Sequence, residues 1–351
     1  MRTGKEYWDL KIEETIELFK TRPEWMGNND NDYPSGAFIK GLIEDYKPKN
    51  MLEIGTAAGW AAYYMLDEAT RHNKNAKLTS VDLSSDTLYY TPEKAVGDAF
   101  REMNPKFAKN WNLQTGQYAV DFLIKDNEEK YDFVFIDAHH YHPWASLDLL
   151  ASLPHIKEDA IIVFHDSHLN QIALGLADGF RHPDWINTGQ DQHKGPYVLY
   201  KLLEDQAVMS YDDITPNAFA IQLKNKEDAL SSIYCALNLN WEKCYYDDKT
   251  LMEFYSVLLK LVNLTNKYFG KQWAEKMSEV IFNKYEVTES NNNMTGSIFG
   301  YINYVTKMNK LSKKLTVYKV MRVITFGNKS RKYKQKIEKI NHFRSMLHKA
   351  I

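Results

Sequence analysis

The chain is poor in cysteine: two residues of 351, Cys235 and Cys244, and they form no Cys-x-x-Cys pair. That excludes a disulfide-stapled scaffold and a cysteine-rich metal site, and reduced thiols are expected instead. No apolar run approaches the roughly 18 residues a transmembrane helix needs. Residues 1–20 mix charged and apolar positions and lack the apolar core of a secretory signal. A cytoplasmic protein is therefore expected. A G-x-G-x-x-G dinucleotide fingerprint is missing too, which disfavours a nicotinamide dehydrogenase. Acidic residues are nearly absent from one region. Between 306 and 351 only Glu338 opposes 14 Lys and Arg, so this tail carries +13 and the remainder −15, behind a net charge of −2.

What is present is a globular composition, 44% hydrophobic and 13% aromatic, long enough for one large domain or two ordinary ones. Helical spacing of Trp8, Ile12, Ile16 and Phe19 predicts a helix over 5–20. Residues 22–34, rich in Pro, Gly, Asn and Asp, read as a loop, after which Ser35 would cap a helix over 36–46. Strand and helix patterns then alternate, with strands expected at 50–54, 77–82, 111–115, 131–136 and 160–165, and two more near 185–188 and 196–201. This alternation implies a parallel sheet with right-handed crossovers. Val134–Ile136 and Ile161–Phe164 are apolar throughout, as strands buried on both faces are. After about 203 the pattern turns mainly helical, and Asn291-Asn-Asn293 reads as a loop or hinge. The expected organisation is an α/β domain over 1–203 and a helical accessory region over 204–351 that ends in the basic tail.

The most informative stretch is Met51-Leu-Glu-Ile-Gly-Thr-Ala-Ala-Gly-Trp60. An apolar strand carries Glu53 near its end, a turn holds Gly55 and Gly59, and a helix follows. Glycine lets backbone and ligand approach closely, because it has no Cβ and tolerates positive φ. Asp82 closes the next strand, where an acidic residue would meet ribose hydroxyls. Asp137 and Asp166 close two later strands, at the edge where open α/β sheets bind ligands.

The segment 52–59 resembles motif I of class I S-adenosylmethionine-dependent methyltransferases, in the form found in catechol-type and macrocin-type O-methyltransferases. The resemblance spans about 35–202. It implies a Rossmann-like, doubly wound, seven-stranded sheet, mostly parallel, whose last two strands form a hairpin. It implies that Glu53, Gly55, Thr56 and Gly59 surround the methionine part of the cofactor and that Asp82 holds both ribose hydroxyls. Gly116 and Gln117 fall where that family contacts adenine, and Asp137 also borders the cofactor.

Carboxylates gathered at one sheet edge repel unless a cation sits between them, and a divalent metal is the simplest such partner. The resemblance implies a metal-binding Asp at Asp137 and a general base three residues on, at His140; an imidazole titrates near neutral pH. Asp166 is the second expected ligand. The residue before it is usually acidic in these families and is His165 here, a donor that shifts preference from Mg2+ towards Mn2+ or Fe2+. Eight of the eleven histidines lie between 139 and 193. His155 is expected to be exposed, and Tyr141 and Trp144 to line an acceptor pocket or to pack a helix.

The tail reads either as a solvated helix surface or as an attachment to something anionic: a membrane, a charged polysaccharide or a partner enzyme. It faintly resembles terminal tails of bacterial glycosyltransferases in surface-polysaccharide pathways. The leading expectation is thus a metal-assisted O-methyltransferase using S-adenosylmethionine, with Mg2+ or Mn2+, on a sugar or surface-glycan precursor. It would sit in the cytoplasm or at the inner face of the membrane and dimerise through its helical half. Nucleic acid is not an expected partner. The rival readings are a metal-independent methyltransferase of a small polar metabolite and a scaffold whose methyltransferase-like domain does not catalyse.

Overall fold

The computed structural model describes residues 1–27, 32–85, 88, 91–125, 130–170, 193–211, 216–242 and 248–289. Met1–Val280 form one compact unit and Ile281–Ile351 a second. In chain order the first unit contains α1 (Gly4–Phe19), α2 (Tyr33–Tyr46), β1 (Asn50–Ile54), α3 (Trp60–His72), β2 (Lys77–Val81), α4 (Asp98–Glu102) and β3 (Trp111–Gln114). Then come α5 (Ala119–Leu123), β4 (Tyr131–Ile136), α6 (Trp144–Ser152), β5 (Ile156–Phe164), α7 (Gly195–Leu203), β6 (Ala207–Met209) and β7 (Phe219–Gln222). Helices α8 (Lys226–Asn238), α9 (Asp248–Phe269) and α10 (Lys271–Glu289) follow. No described helix is long and apolar enough to cross a membrane.

The seven strands form one sheet in the order β3-β2-β1-β4-β5-β7-β6. The first five run parallel, and β7 is antiparallel to both of its neighbours. Helices cover both faces, so the central strands bury nearly every side chain: Leu52, Phe133, Val134, Ile161, Ile162 and Val163 are all fully buried. Between β1 and β4 the order of winding reverses. The carboxyl ends of these two strands lie side by side there, at the place where a doubly wound sheet binds its ligand.

The five parallel strands fall where expected, except that β5 begins four residues earlier. The last two do not. The apolar run Tyr197–Tyr200 is too short to separate strand from buried helix by pattern, and it folds as α7. Pro196 sits in the first turn, where a missing N–H costs nothing, and Leu199 and Leu203 bury one face. The hairpin comes from 207–222 instead, so the sheet continues past residue 203. The expected strand near 185–188, the Asn291–Asn293 loop, Cys244 and the basic tail lie outside the described residues. Helix α2 starts at Tyr33, capped by Asp32 rather than by Ser35: Ser35 N–H donates to Asp32 Oδ1 over 3.1 Å. On α1 the buried face is Tyr7, Lys11, Thr15 and Phe19, and Trp8, Ile12 and Ile16 are left half-buried.

Candidate active site

Gly55 ends β1 at φ +89°, and a Cβ there would stand 2.2 Å from the carbonyl oxygen of Asp137. Any other residue would push β1 away from the end of β4. Two backbone bonds lock this approach, from Gly55 N–H to Val81 O at 2.9 Å and from Asp137 N–H to Ile54 O at 2.8 Å. The turn then passes through Ala57, at φ +45°, to Gly59, which caps α3 at φ +83°.

Asp82 pins this turn. Its Oδ2 accepts the N–H groups of Thr56 and Ala57, both at 2.9 Å, and its Oδ1 accepts Ser84 N–H at 2.8 Å. A carboxylate has about four acceptor sites, so three backbone donors leave about one open. Gly116, at φ +70°, and Gln117 hang beside it: Gly116 N–H reaches Ser84 O at 3.3 Å and Gln117 N–H reaches Asp82 O at 3.4 Å. The Gln117 side chain accepts from Lys125 at 3.3 Å.

Glu53 lies fully buried beneath the turn. Burial pushes its carboxyl up to about 8, and Asp137 adds to the rise. The Ser80 and Thr56 hydroxyls draw it back without reaching it in a hydrogen bond of normal geometry. Near neutral pH Glu53 is therefore largely protonated.

At the ends of β4 and β5 the four expected residues meet. His165 Nδ1 lies 3.2 Å from Asp137 Oδ1 and 3.4 Å from Asp166 Oδ1. His140 Nε2 lies 3.4 Å from Asp137 Oδ1 and 3.2 Å from Asp166 Oδ2. Asp166 adopts φ +52°, a left-handed conformation that aspartate tolerates better than most residues and that turns its carboxylate into the cluster. Burial alone would lower both histidines. The two aspartates outweigh it and raise His140, and His165 well above the ordinary imidazole value. Asp137 is correspondingly held low by His165 and His140 against its own burial.

Two members of the cluster were not among the expected residues. Asp32 Oδ2 lies 3.0 Å from His165 Nε2, and Asn217 Nδ2 donates to Asp166 Oδ1 at 2.6 Å. Asp32 stands in a polar loop where only its place before Pro34 hints at a helix cap, and Asn217 precedes a strand that the pattern did not reveal. Of the remaining histidines, His193 packs edge-on against His140 at 5.4 Å, whereas His139 stacks on Trp144 at 5.8 Å and burial lowers it to about 4. His155 is buried, not exposed: it closes a short turn against β5 and faces Tyr268 at 5.8 Å. Trp144 is core as well, stacked on Tyr118 and packed on Phe254 of α9. Tyr141 stays half-buried at the cleft, 4.9 Å from His193. His182 lies outside the described residues.

Residues 52–167, about a third of the chain, match a family model described as a methyltransferase domain. Over that segment the chain carries a methyltransferase domain. Three solved structures are similar to it: an O-methyltransferase from Bacillus cereus in complex with SAH, the O-methyltransferase TomG from Streptomyces achromogenes in complex with SAM, and the SAH-bound Podospora anserina methyltransferase PaMTH1. They are 15%, 16% and 19% identical, and cover 60%, 64% and 61% of this chain and 90%, 100% and 88% of their own, with TM-scores of 0.42, 0.43 and 0.43. No curated protein matches the chain.

The Thr56 hydroxyl and the Glu53 carboxyl are buried beneath the turn without partners of normal geometry. A divalent cation suits the cluster. One donor atom from each of Asp137, His165 and Asp166 lies within 4.8 Å of the others. Donors at about 2.1 Å from a common octahedral ion stand about 3 Å apart, close to the two spacings seen around His165 Nδ1.

Proposed function

We propose that the protein is a metal-assisted O-methyltransferase that uses S-adenosylmethionine and methylates a hydroxyl of a sugar or surface-glycan precursor. The observation that carries this reading is the convergence of Asp137, His140, His165 and Asp166 on the sheet edge beside Gly55. Glu53, Thr56 and Gly59 would enclose the methionine end of the cofactor, Asp82 a ribose hydroxyl, and Gly116 and Gln117 the adenine. Asp137, His165 and Asp166 would hold a divalent ion, which when bound supplies Lewis acidity towards the acceptor oxygen. With a cation taking over the charge of the two aspartates, His140 would be free to take the hydroxyl proton, and the cofactor when bound would supply the sulfonium methyl, its C–S pair staying on sulfur as S-adenosylhomocysteine. The rigid sheet edge contributes by holding oxygen and methyl in line.

One observation favours a second reading. Both ring nitrogens of His165 face carboxylates, so as an imidazolium, together with a protonated His140, it would offset most of the cluster's charge without a metal. In either case the acidic body and basic tail suit a location at an anionic membrane surface or beside a glycan-pathway enzyme, with the helical half available for a homodimer.

Calorimetric titration with S-adenosylhomocysteine, on wild type and Asp82→Ala, with and without Mn2+ or Mg2+, tests the proposal. Micromolar binding weakened by Asp82→Ala supports it. Lack of binding under every condition would leave a scaffold as the better reading.

A further inference from the structure

The cluster does not end at the sheet. Asp32, the cap of α2, has both oxygens fixed: Oδ1 accepts Ser35 N–H at 3.1 Å, and Oδ2 accepts the Ser35 hydroxyl at 2.7 Å. The same Oδ2 faces His165 Nε2 at 3.0 Å and Asn217 Nδ2 at 3.4 Å. Helix α2 is itself immobilised, buried without interruption from Pro34 to Ile43. A carboxylate held this firmly dictates the state of the imidazole opposite. When Nε2–H donates to Asp32 and Nδ1 carries no proton, the lone pair of Nδ1 points at the oxygens of Asp137 and Asp166, and a cation among these three acceptors satisfies all of them.

We propose that Asp32 is a positioning residue, the outer carboxylate of an Asp32–His165–metal triad, which turns Nδ1 of His165 towards a divalent cation shared with Asp137 and Asp166. Asn217 completes it by holding Asp166 Oδ1. This rests on the metal-assisted reading above. It gives the helix before the sheet a direct part in the site, because the cap that starts α2 also sets the ligand geometry. An outer carboxylate of this kind fixes ring orientation and raises ligand basicity, and its loss typically costs about 10–100-fold in metal affinity.

The test uses the full-length protein, stripped with EDTA and titrated with MnCl2 by calorimetry. Asp32→Ser keeps a good helix cap but is too short to reach His165. Asp32→Asn keeps the cap and a neutral acceptor, and guards against misfolding of the serine variant. The expected result is one Mn2+ site in wild type, about 10–100-fold weaker binding in Asp32→Ser and an intermediate loss in Asp32→Asn. S-adenosylhomocysteine affinity should stay within about twofold, which general damage to the fold would not allow. Wild-type Mn2+ affinity in both variants would overturn the role of Asp32 and leave the metal reading standing. Failure of wild type to bind Mn2+, with or without S-adenosylhomocysteine, would overturn the metal reading and this inference with it.

Discussion

Two clusters of buried charge lie in this molecule, and they are balanced in opposite ways. Between α1, α2 and α3, Lys11 Nζ meets Glu68 at 2.9 Å and also Glu44, and Lys40 meets Glu14 at 2.6 Å and Glu68 at 3.5 Å; Arg71 closes on Glu14. Lys40 and Glu68 are almost wholly buried. Against burial, Lys40 and Arg71 pull Glu14 down to about 2, and Glu44 and Glu68 raise Lys11. Three permanent cations answer three glutamates and Asp67, which Arg71 also holds at 2.6 Å. At the sheet edge, among the described residues, no Lys or Arg pairs with Asp32, Asp137 or Asp166; their partners are His140 and His165, whose charge is conditional. Glu44, Glu68 and His72 also come close enough to share a metal, but lysines already occupy that role. The helical network is closed by permanent charges, whereas the charge balance at the sheet edge depends on the protonation of His140 and His165.

The comparison breaks most sharply at His140. His140→Ala should lower methyl transfer by about 10²–10⁴-fold, the usual worth of a general base, and leave S-adenosylhomocysteine affinity and melting temperature close to wild type. Turnover with S-adenosylmethionine and scanning calorimetry on the same preparation would check both halves. Unchanged turnover would remove His140 as the base.

The helical network should respond in the reverse sense. Lys40→Met takes one cation from both Glu14 and Glu68, which keep Arg71 and Lys11, so the loss should fall at or below the about 3–5 kcal/mol of a buried pair broken from one side. Urea unfolding should show a loss of that size, and cofactor affinity, measured where the variant is still folded, should not change. Lys40→Met combined with Glu68→Gln should recover part of it, because one of the two carboxylates is neutralised and Lys11 keeps Glu44. A double mutant no better than the single would mean that Lys40 acts through packing rather than charge.

How far each cluster could be read from sequence follows from where its residues sit. Asp137, His165 and Asp166 directly follow apolar strands, which have one place to deliver the residues at their ends, and His140 lies only three residues beyond Asp137. Gly55 and Gly59 were legible for a related reason: a strand entering a helix through two glycines needs positive φ, which both adopt. Asp32 and Asn217 come from loops, whose position at the cluster is set by tertiary packing. Lys11 and Thr15 were hidden differently. The stripe of Trp8, Ile12 and Ile16 outweighs them by hydrophobicity, yet α1 turns Lys11 inward because Glu44 and Glu68 wait on the neighbouring helices. The hairpin was missed because Tyr197–Tyr200 makes a better strand by composition than Ala207–Met209, and only the pairing of β5 with β7 decides between them.

Glu53 supplies a third solution to the same problem. It is as buried as Glu68 but has no cation, so it stays protonated. Its folded-state value of about 8 lies above the ordinary carboxyl range. The folded chain therefore holds this proton more tightly than the unfolded one. The stability so contributed is complete below about pH 4.5 and is lost as pH rises through 8, because folding must then either retain a proton or bury a bare carboxylate. Glu53→Gln copies the protonated form in shape and cannot ionise. It should match wild type near pH 5 and exceed it by a few kcal/mol at pH 8–9, since each tenfold difference in proton affinity between the folded and unfolded chains is worth about 1.4 kcal/mol. Thermal melts of both proteins across that range would read the divergence directly. Parallel melting curves would mean that Glu53 is ionised in the fold and has a cationic partner of its own, which would move it from the uncharged class into that of the two clusters.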